Sequence, residues 1–295
     1  MPDSPQTSLS GVGLHGGLPA RLDLALRPDS GFNGVVFGMP GDTRLSVLDM
    51  GRLDRTARRS TLLSHPAAAG GGLVVRTPEH LLASLLFFSG FPLDVRCDAL
   101  EIPGLDGSAL PFREALAGLA PQAAARPAWT EYPCDLAWEY HWSYGSIRVR
   151  PADRFRVRFE LDRAPLRQAF LLENAATAWR EILPARTFVF HREWVQARAE
   201  GLMAGAQADS GLLLAESEAE HADLLRAHQD WTGGPFPLLN RPAWRMDAEP
   251  VKHKILDLLG DLALLGLALP ALDVEIRNGG HHINHILIER IAAAR

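Results

Sequence analysis

The chain has 295 residues, 47% hydrophobic and 22% charged, which excludes a mainly disordered polypeptide and suggests two domains at about 150 residues each. Thirty basic residues against 35 acidic ones give a net charge of −5, the opposite of the basic excess expected of a general nucleic-acid binder. Two cysteines, Cys97 and Cys134, are too few for a disulfide framework or a cysteine zinc site, and they fit a reducing, cytoplasmic compartment.

Residues 1–12 show neither a basic start nor an apolar run, so no secretory leader is expected. Alternating runs at Arg21–Leu26 and Gly34–Phe37 predict short strands. Thr77-Pro78-Glu79-His80 predicts a helix start, with threonine as N-cap, and a helix running to about Ser89 and stopping at Gly90. A strand at Leu93–Cys97 and a second helix at Pro111–Leu119 follow. Prolines without periodicity between Leu119 and Trp129 mark a linker, dividing the chain into residues 1–122 and 128–295. Beyond it, strands are expected at Ser146–Arg150, Arg154–Glu160 and Thr187–Phe190, then a short helix at Arg192–Glu200 and a returning strand at Gly211–Leu214. A long helix begins near Pro250, with Asp247 and Glu249 set against its N-terminal dipole, and runs through Leu265. A strand at Asp273–Ile276 and a C-terminal helix complete a pattern of strands followed by helices in each half. That pattern is α+β. The most apolar stretch, Leu262–Leu272, is shorter than the roughly 20 residues of a membrane helix, so no stable membrane insertion is expected.

Eleven histidines occur. His65, His141, His221 and His228 lie in polar or loop-like surroundings and read as exposed or locally bonded. His15, in a glycine-rich turn, is either structural or substrate-facing, and His191 is undecided. Three places stand out: Glu79-His80 at a helix N-terminus; His253, Asp257 and Asp261 on one face of an otherwise apolar helix; and Gly279-Gly280-His281-His282 in a glycine turn. Carboxylates on so apolar a helix are expected to be buried and to need a partner, either a histidine hydrogen bond or a metal. Together, His80, His253 and Asp257 would make a three-ligand zinc site with an open fourth position, a set that also admits iron. Glu79 could then take a proton from water, and a separate histidine could protonate a leaving nitrogen. The only two lysines, Lys252 and Lys254, flank His253.

Six segments occur in order: Gly11-Val-Gly-Leu-His15, Thr77-Pro-Glu-His-Leu81, Glu101-Ile-Pro-Gly-Leu-Asp-Gly-Ser-Ala109, Ala185-Arg-Thr-Phe188, Lys252-His-Lys-Ile-Leu-Asp-Leu-Leu-Gly-Asp261 and Gly280-His-His-Ile-Asn284. With this spacing the chain resembles the UDP-3-O-acyl-N-acetylglucosamine deacetylases, zinc amidases of lipid A synthesis. The resemblance implies two similar α+β domains forming a β-α-α-β sandwich, with a small β-α-β insert in the second. It implies zinc on His80, His253 and Asp257, Glu79 as general base, His281 as general acid, Thr187 at the oxyanion and Asp261 orienting His281. Lys254 and Phe188 would line the substrate pocket, and the insert, with Val195 and Leu202 on the apolar face of its helix, would form a passage for the ester-linked acyl chain. The substrate would be UDP-3-O-acyl-N-acetylglucosamine and the protein a cytoplasmic monomer. Competing readings are a related zinc amidase on another acylated nucleotide sugar and a non-catalytic lipid-precursor binding protein on the same fold.

Overall fold

The computed structural model describes residues 5–26, 35–38, 44–46, 53–54, 60–65, 73–88, 93–119, 129–228, 231, 233–240 and 243–295. In chain order these form β1 (Gln6–Val12), β2 (Pro19–Leu26), β3 (Val35–Gly38), β4 (Arg44–Ser46), β5 (Leu62–His65), β6 (Leu73–Arg76), α1 (Glu79–Leu85), β7 (Leu93–Cys97) and α2 (Leu110–Leu119). Then come β8 (Thr130–Pro133), β9 (Trp138–Trp142), β10 (Gly145–Pro151), β11 (Arg156–Arg163), β12 (Leu166–Leu172), α3 (Ala175–Glu181), β13 (Phe188–Phe190), α4 (His191–Ala199) and β14 (Leu212–Leu214). The chain continues through α5 (Glu218–Ala227), α6 (Glu249–Leu262), β15 (Ala268–Arg277) and α7 (His281–Ala293).

The alternation read in β2 is a one-sided strand: Leu22 and Leu24 are fully buried while Arg21 faces out and pairs with Asp23. Among the described residues, one sheet runs β1-β2-β7-β3-β4, antiparallel except where β3 lies parallel to β7. A second runs β12-β11-β15-β10-β9, with β8 beside the start of β15. Both sheets turn an apolar face toward helices. In the first, α2 packs on β1 and β2; in the second, α6 packs on β11 and β12; and α1 joins the two layers by lying against both α2 and α6. The result is an α+β fold with helices between sheets, and its buried side chains form one continuous core from Leu22 to Val149 and Leu287. The insert is β13-α4-β14, its two strands parallel. None of the helices among the described residues is long and apolar enough to cross a membrane.

Several boundaries move. Thr77 does not cap α1; it sits in the left-handed region at φ 55°, its hydroxyl donates to the Arg76 carbonyl, and Pro78 takes the cap position. Helix α1 ends at Leu85, and the expected stop at Ser89–Gly90 lies outside the described residues, as do residues 120–128 of the expected linker. Helix α6 ends at Leu262 and passes into a 3₁₀ turn over Ala263–Leu265. Glu249 stands in the first turn of α6 as expected, and its carboxylate is buried against Arg186. The strand expected at Asp273–Ile276 extends over ten residues as β15, since it is central in its sheet and paired on both sides.

Candidate active site

Helix periodicity places His253 and Asp257 one turn apart on α6, with His253 Nε2 3.2 Å from Asp257 Oδ1. The third group comes from α1, which crosses α6 where residue 260 is glycine. A Cβ there would lie 2.0 Å from the Glu79 carbonyl, so only glycine lets the two backbones meet this closely. The crossing sets His80 Nε2 3.6 Å from Asp257 Oδ1, with the His80 and His253 rings edge-on at 5.0 Å. A tetrahedral ion bound at about 2.0–2.1 Å would hold its ligand atoms roughly 3.3 Å apart, so these three donors fit one. The imidazole of His253 is oriented for the purpose: Nδ1–H donates to the Ala185 carbonyl at 3.0 Å, leaving Nε2 to face Asp257. Ala185 is held in turn, because Arg186 beside it forms a fully buried pair with Glu249, one turn before His253 on α6.

Two proton-transfer groups flank this set. Glu79 precedes His80 at the start of α1, is buried, and leaves Oε2 without a hydrogen-bond partner among the described residues. Burial pushes its carboxyl up to about 8; His281 pulls against that, while Asp261 and Asp257 add to it. His281 opens α7 with Nε2 3.8 Å from Glu79 Oε1 and 3.7 Å from Asp257 Oδ2, and Nδ1 3.1 Å from Asp261 Oδ2. Burial works against its positive charge, but Asp257, Asp261 and Glu79 outweigh it and lift the imidazole to about 9. Burial likewise opposes ionisation of Asp257, yet His253, Lys254 and His281 hold it well below the usual carboxylate range. Burial pushes His80 down, which favours the neutral imidazole that a ligand must be. The helices that supply these groups start in strained backbone: Thr77 before α1, Ala248 before α6 and Asn278 before α7 all have φ between 53 and 55°.

The remaining expected residues divide. Lys254 lies in the cleft, bonded to Asp257 Oδ2 at 3.2 Å and 5.3 Å from the Phe188 ring. Thr187 and Phe188 line both a cleft of about 1310 Å³, which contains His80, His253, Asp257 and His281, and an adjoining apolar cavity of about 490 Å³. The cavity is walled by the insert through Trp194, Leu212 and Leu213. Val195 and Leu202 are not brought there. Val195 is 49% exposed, because α4 turns Trp194 and Ala197 inward, and neither Val195 nor Leu202 lines the cleft or the cavity. His15 is buried and lines the cleft, while His282 stands exposed at its rim. Among the histidines set aside, His141 pairs with Glu139, His221 bonds the Leu238 carbonyl and His228 stacks on Trp231. Sequence reasoning passed over His285, four residues after His281 and so on the same face, and Thr61, whose hydroxyl bonds Asp261. Helical spacing could have flagged His285; nothing local marks Thr61.

Two histidines and an aspartate spaced to hold a metal ion, with a buried carboxyl and a third histidine beside them in one cleft, are the parts of a metal-assisted hydrolase. The chain matches the UDP-3-O-acyl N-acetylglycosamine deacetylase family over residues 4–232 and 235–293, and it belongs to that family. It is similar to the UDP-3-O-acyl-N-acetylglucosamine deacetylase of Anaeromyxobacter sp. Fw109-5, with 34% identity covering 98% of this chain and 86% of the relative. Its identity to the enzyme of the same name from Thermosynechococcus vestitus is 33%, over 97% of this chain and 91% of the relative. For that of Syntrophotalea carbinolica the figures are 31%, 97% and 85%.

Proposed function

We propose that the protein removes the N-acetyl group of UDP-3-O-acyl-N-acetylglucosamine, leaving the amine and acetate, with zinc on His80, His253 and Asp257. The observation that carries this is the convergence of His80, His253 and Asp257 with Glu79 and His281 in a single cleft that opens onto an apolar cavity. Zinc, when bound, supplies Lewis-acid polarisation of the amide carbonyl and makes water a better nucleophile. Glu79 accepts the proton of the attacking water. His281 keeps Nδ1 on Asp261 and gives its Nε2 proton to the departing nitrogen, which leaves as the amine. The Thr187 hydroxyl steadies the negative oxygen of the tetrahedral stage. Lys254 stands at the cleft beside Phe188 for the polar part of the substrate, and the cavity under the insert shelters the acyl chain.

The same reading takes residues 1–122 and 128–295 as two α+β domains with the cleft between them, in a cytoplasmic monomer. Acetate release from the acylated UDP-sugar, measured together with zinc and iron content, tests the proposal. Stoichiometric zinc with acetate release supports it. Release only from a different acylated nucleotide sugar would replace the substrate, and tight binding without release would make the chain a lipid-precursor binding protein.

A further inference from the structure

Behind the cleft, α7 presents a second histidine. His285 lies one turn after His281, its ring 6.1 Å from that of His281, and both rings face Asp261. Between them stands the Thr61 hydroxyl, fully buried and contributed by the segment just before β5, 200 residues away in sequence. A hydroxyl has one hydrogen, and this one is donated to Asp261 Oδ1. Toward His285 Nε2, at 3.1 Å, Thr61 is therefore the acceptor, which puts the proton of His285 on Nε2. The other oxygen of Asp261 takes Nδ1–H of His281 at 3.1 Å and the Asn284 amide at 2.9 Å. His285 Nε2 is itself only 3.8 Å from Asp261 Oδ1. Thr61 thus stands where His285 would otherwise compete with His281 for the same carboxylate.

We infer that Thr61 is a positioning residue for His281: its hydroxyl, by taking Nε2–H of His285, keeps His285 off Asp261, reserves that carboxylate for Nδ1–H of His281, and so points Nε2 of His281 into the cleft. The inference rests on the reading of His281 as proton donor in the deacetylation. Without the hydroxyl, His285 bonds Asp261 directly and His281 loses its fixed tautomer and orientation.

The test uses the full-length, zinc-loaded protein. Thr61→Val, of the same shape but without the hydroxyl, is expected to lower kcat roughly 10- to 100-fold, the scale for losing a group that orients a functional histidine, with KM within about twofold. Zinc content is expected to stay unchanged. Thr61→Ser is expected to recover most of the loss. In a His281→Ala background, Thr61→Val is expected to have no further effect, because its influence passes through His281. A readout independent of turnover is nitrogen-15 NMR of labelled histidines, in which the neutral His281 ring is expected in the Nδ1–H form in wild type and Thr61→Ser, and mixed in Thr61→Val. Should Thr61→Val fold poorly, Thr61→Ala, which also lacks the hydroxyl, gives the same contrast with Thr61→Ser. Wild-type kcat in Thr61→Val, a Thr61→Ser variant as poor as Thr61→Val, or an undiminished effect without His281 would overturn the inference. A wild type that releases no acetate would sink the deacetylase reading instead, and the tautomer comparison would still decide this one.

Discussion

The two histidine–aspartate clusters on α6 use the same residue types one turn apart, yet they differ in how fully their hydrogen bonds are committed. Around Asp261, both carboxylate oxygens are engaged, Oδ1 by Thr61 and Oδ2 by His281 and Asn284, while the Asn284 amide oxygen finds no partner among the described residues. Around Asp257, the Nε2 atoms of His80 and His253 converge on one oxygen, and Glu79 nearby keeps an oxygen with no partner among the described residues. Buried polar atoms left open cost about 1–3 kcal/mol each, so an arrangement that leaves them open is one that an ion or a substrate completes. The contrast teaches that residue identity does not separate a ligand set from a positioning network. Saturation does.

The sharpest way to break the contrast is to remove a ligand. His80→Ala, His253→Ala or Asp257→Ala is expected to lose metal and activity together; stoichiometric tightly held metal in all of them, by elemental analysis, would remove this ligand set from consideration. Next in size, Glu79→Ala and His281→Ala are expected to keep the metal while losing about 10²- to 10⁴-fold in rate. A His282→Ala variant without activity beside a normal His281→Ala would move the acid by one residue.

Between chemistry and packing stands Gly260→Ala. Its methyl group meets the Glu79 carbonyl, so α1 must move away from α6. Overpacking of this kind costs about 1–3 kcal/mol, and a 1 Å displacement of Glu79 and His80 costs on the order of 10²-fold in rate. Thermal melting and kcat, both at wild-type values, would show that the crossing is not needed. In the insert, Leu213→Glu is expected to weaken long-chain substrate far more than a truncated analogue, since each buried methylene is worth about 0.8 kcal/mol. Val195→Glu, on the exposed side of α4, is expected to change neither; equal losses in kcat/KM on both substrates for Leu213→Glu would make the cavity structural.

The smallest effect is a proton count. In metal-free protein at pH 7, Glu79 and His281, at about 8 and about 9, both hold their protons. A divalent cation beside them disfavours the protonated forms, so binding releases protons at pH 7, and the release fades above pH 9, where both have already titrated. Calorimetry in buffers of different ionisation enthalpy is expected to show fewer protons released by Glu79→Gln than by wild type.

The spacing of His253, Asp257 and Asp261 was legible because a helix turns periodicity into a face, and that face is where the structure places them. The fold class was legible for the same reason, through the alternation of β2 and the apolar stripe of α6. His80 could be joined to that face only through chemistry and resemblance, since 173 positions separate it from His253 and nothing periodic links them. Thr61 left no local trace, and Gly260, Arg186 and Glu249 were marked only as members of motifs or a helix start, because their importance lies in what approaches them from distant parts of the chain. The insert misled for a subtler reason. Apolar spacing marked Val195 and Leu202, but α4 ends at Ala199, short of Leu202, and packing of Trp194 and Ala197 chose its inward side.

The Arg186–Glu249 pair has a consequence for how the protein comes apart. Residues 185–187 are neither helix nor strand, yet each amide is engaged: Ala185 with the Ile182 carbonyl, Arg186 with the Glu249 carboxylate and Thr187 with the Gly107 carbonyl. Opening this segment would carry Arg186 away and leave the fully enclosed Glu249 carboxylate unpaired, at a cost of about 3–5 kcal/mol. Its amides should therefore exchange with solvent as slowly as those of α6, so that this stretch of irregular backbone belongs to the last cooperative unit to unfold rather than the first.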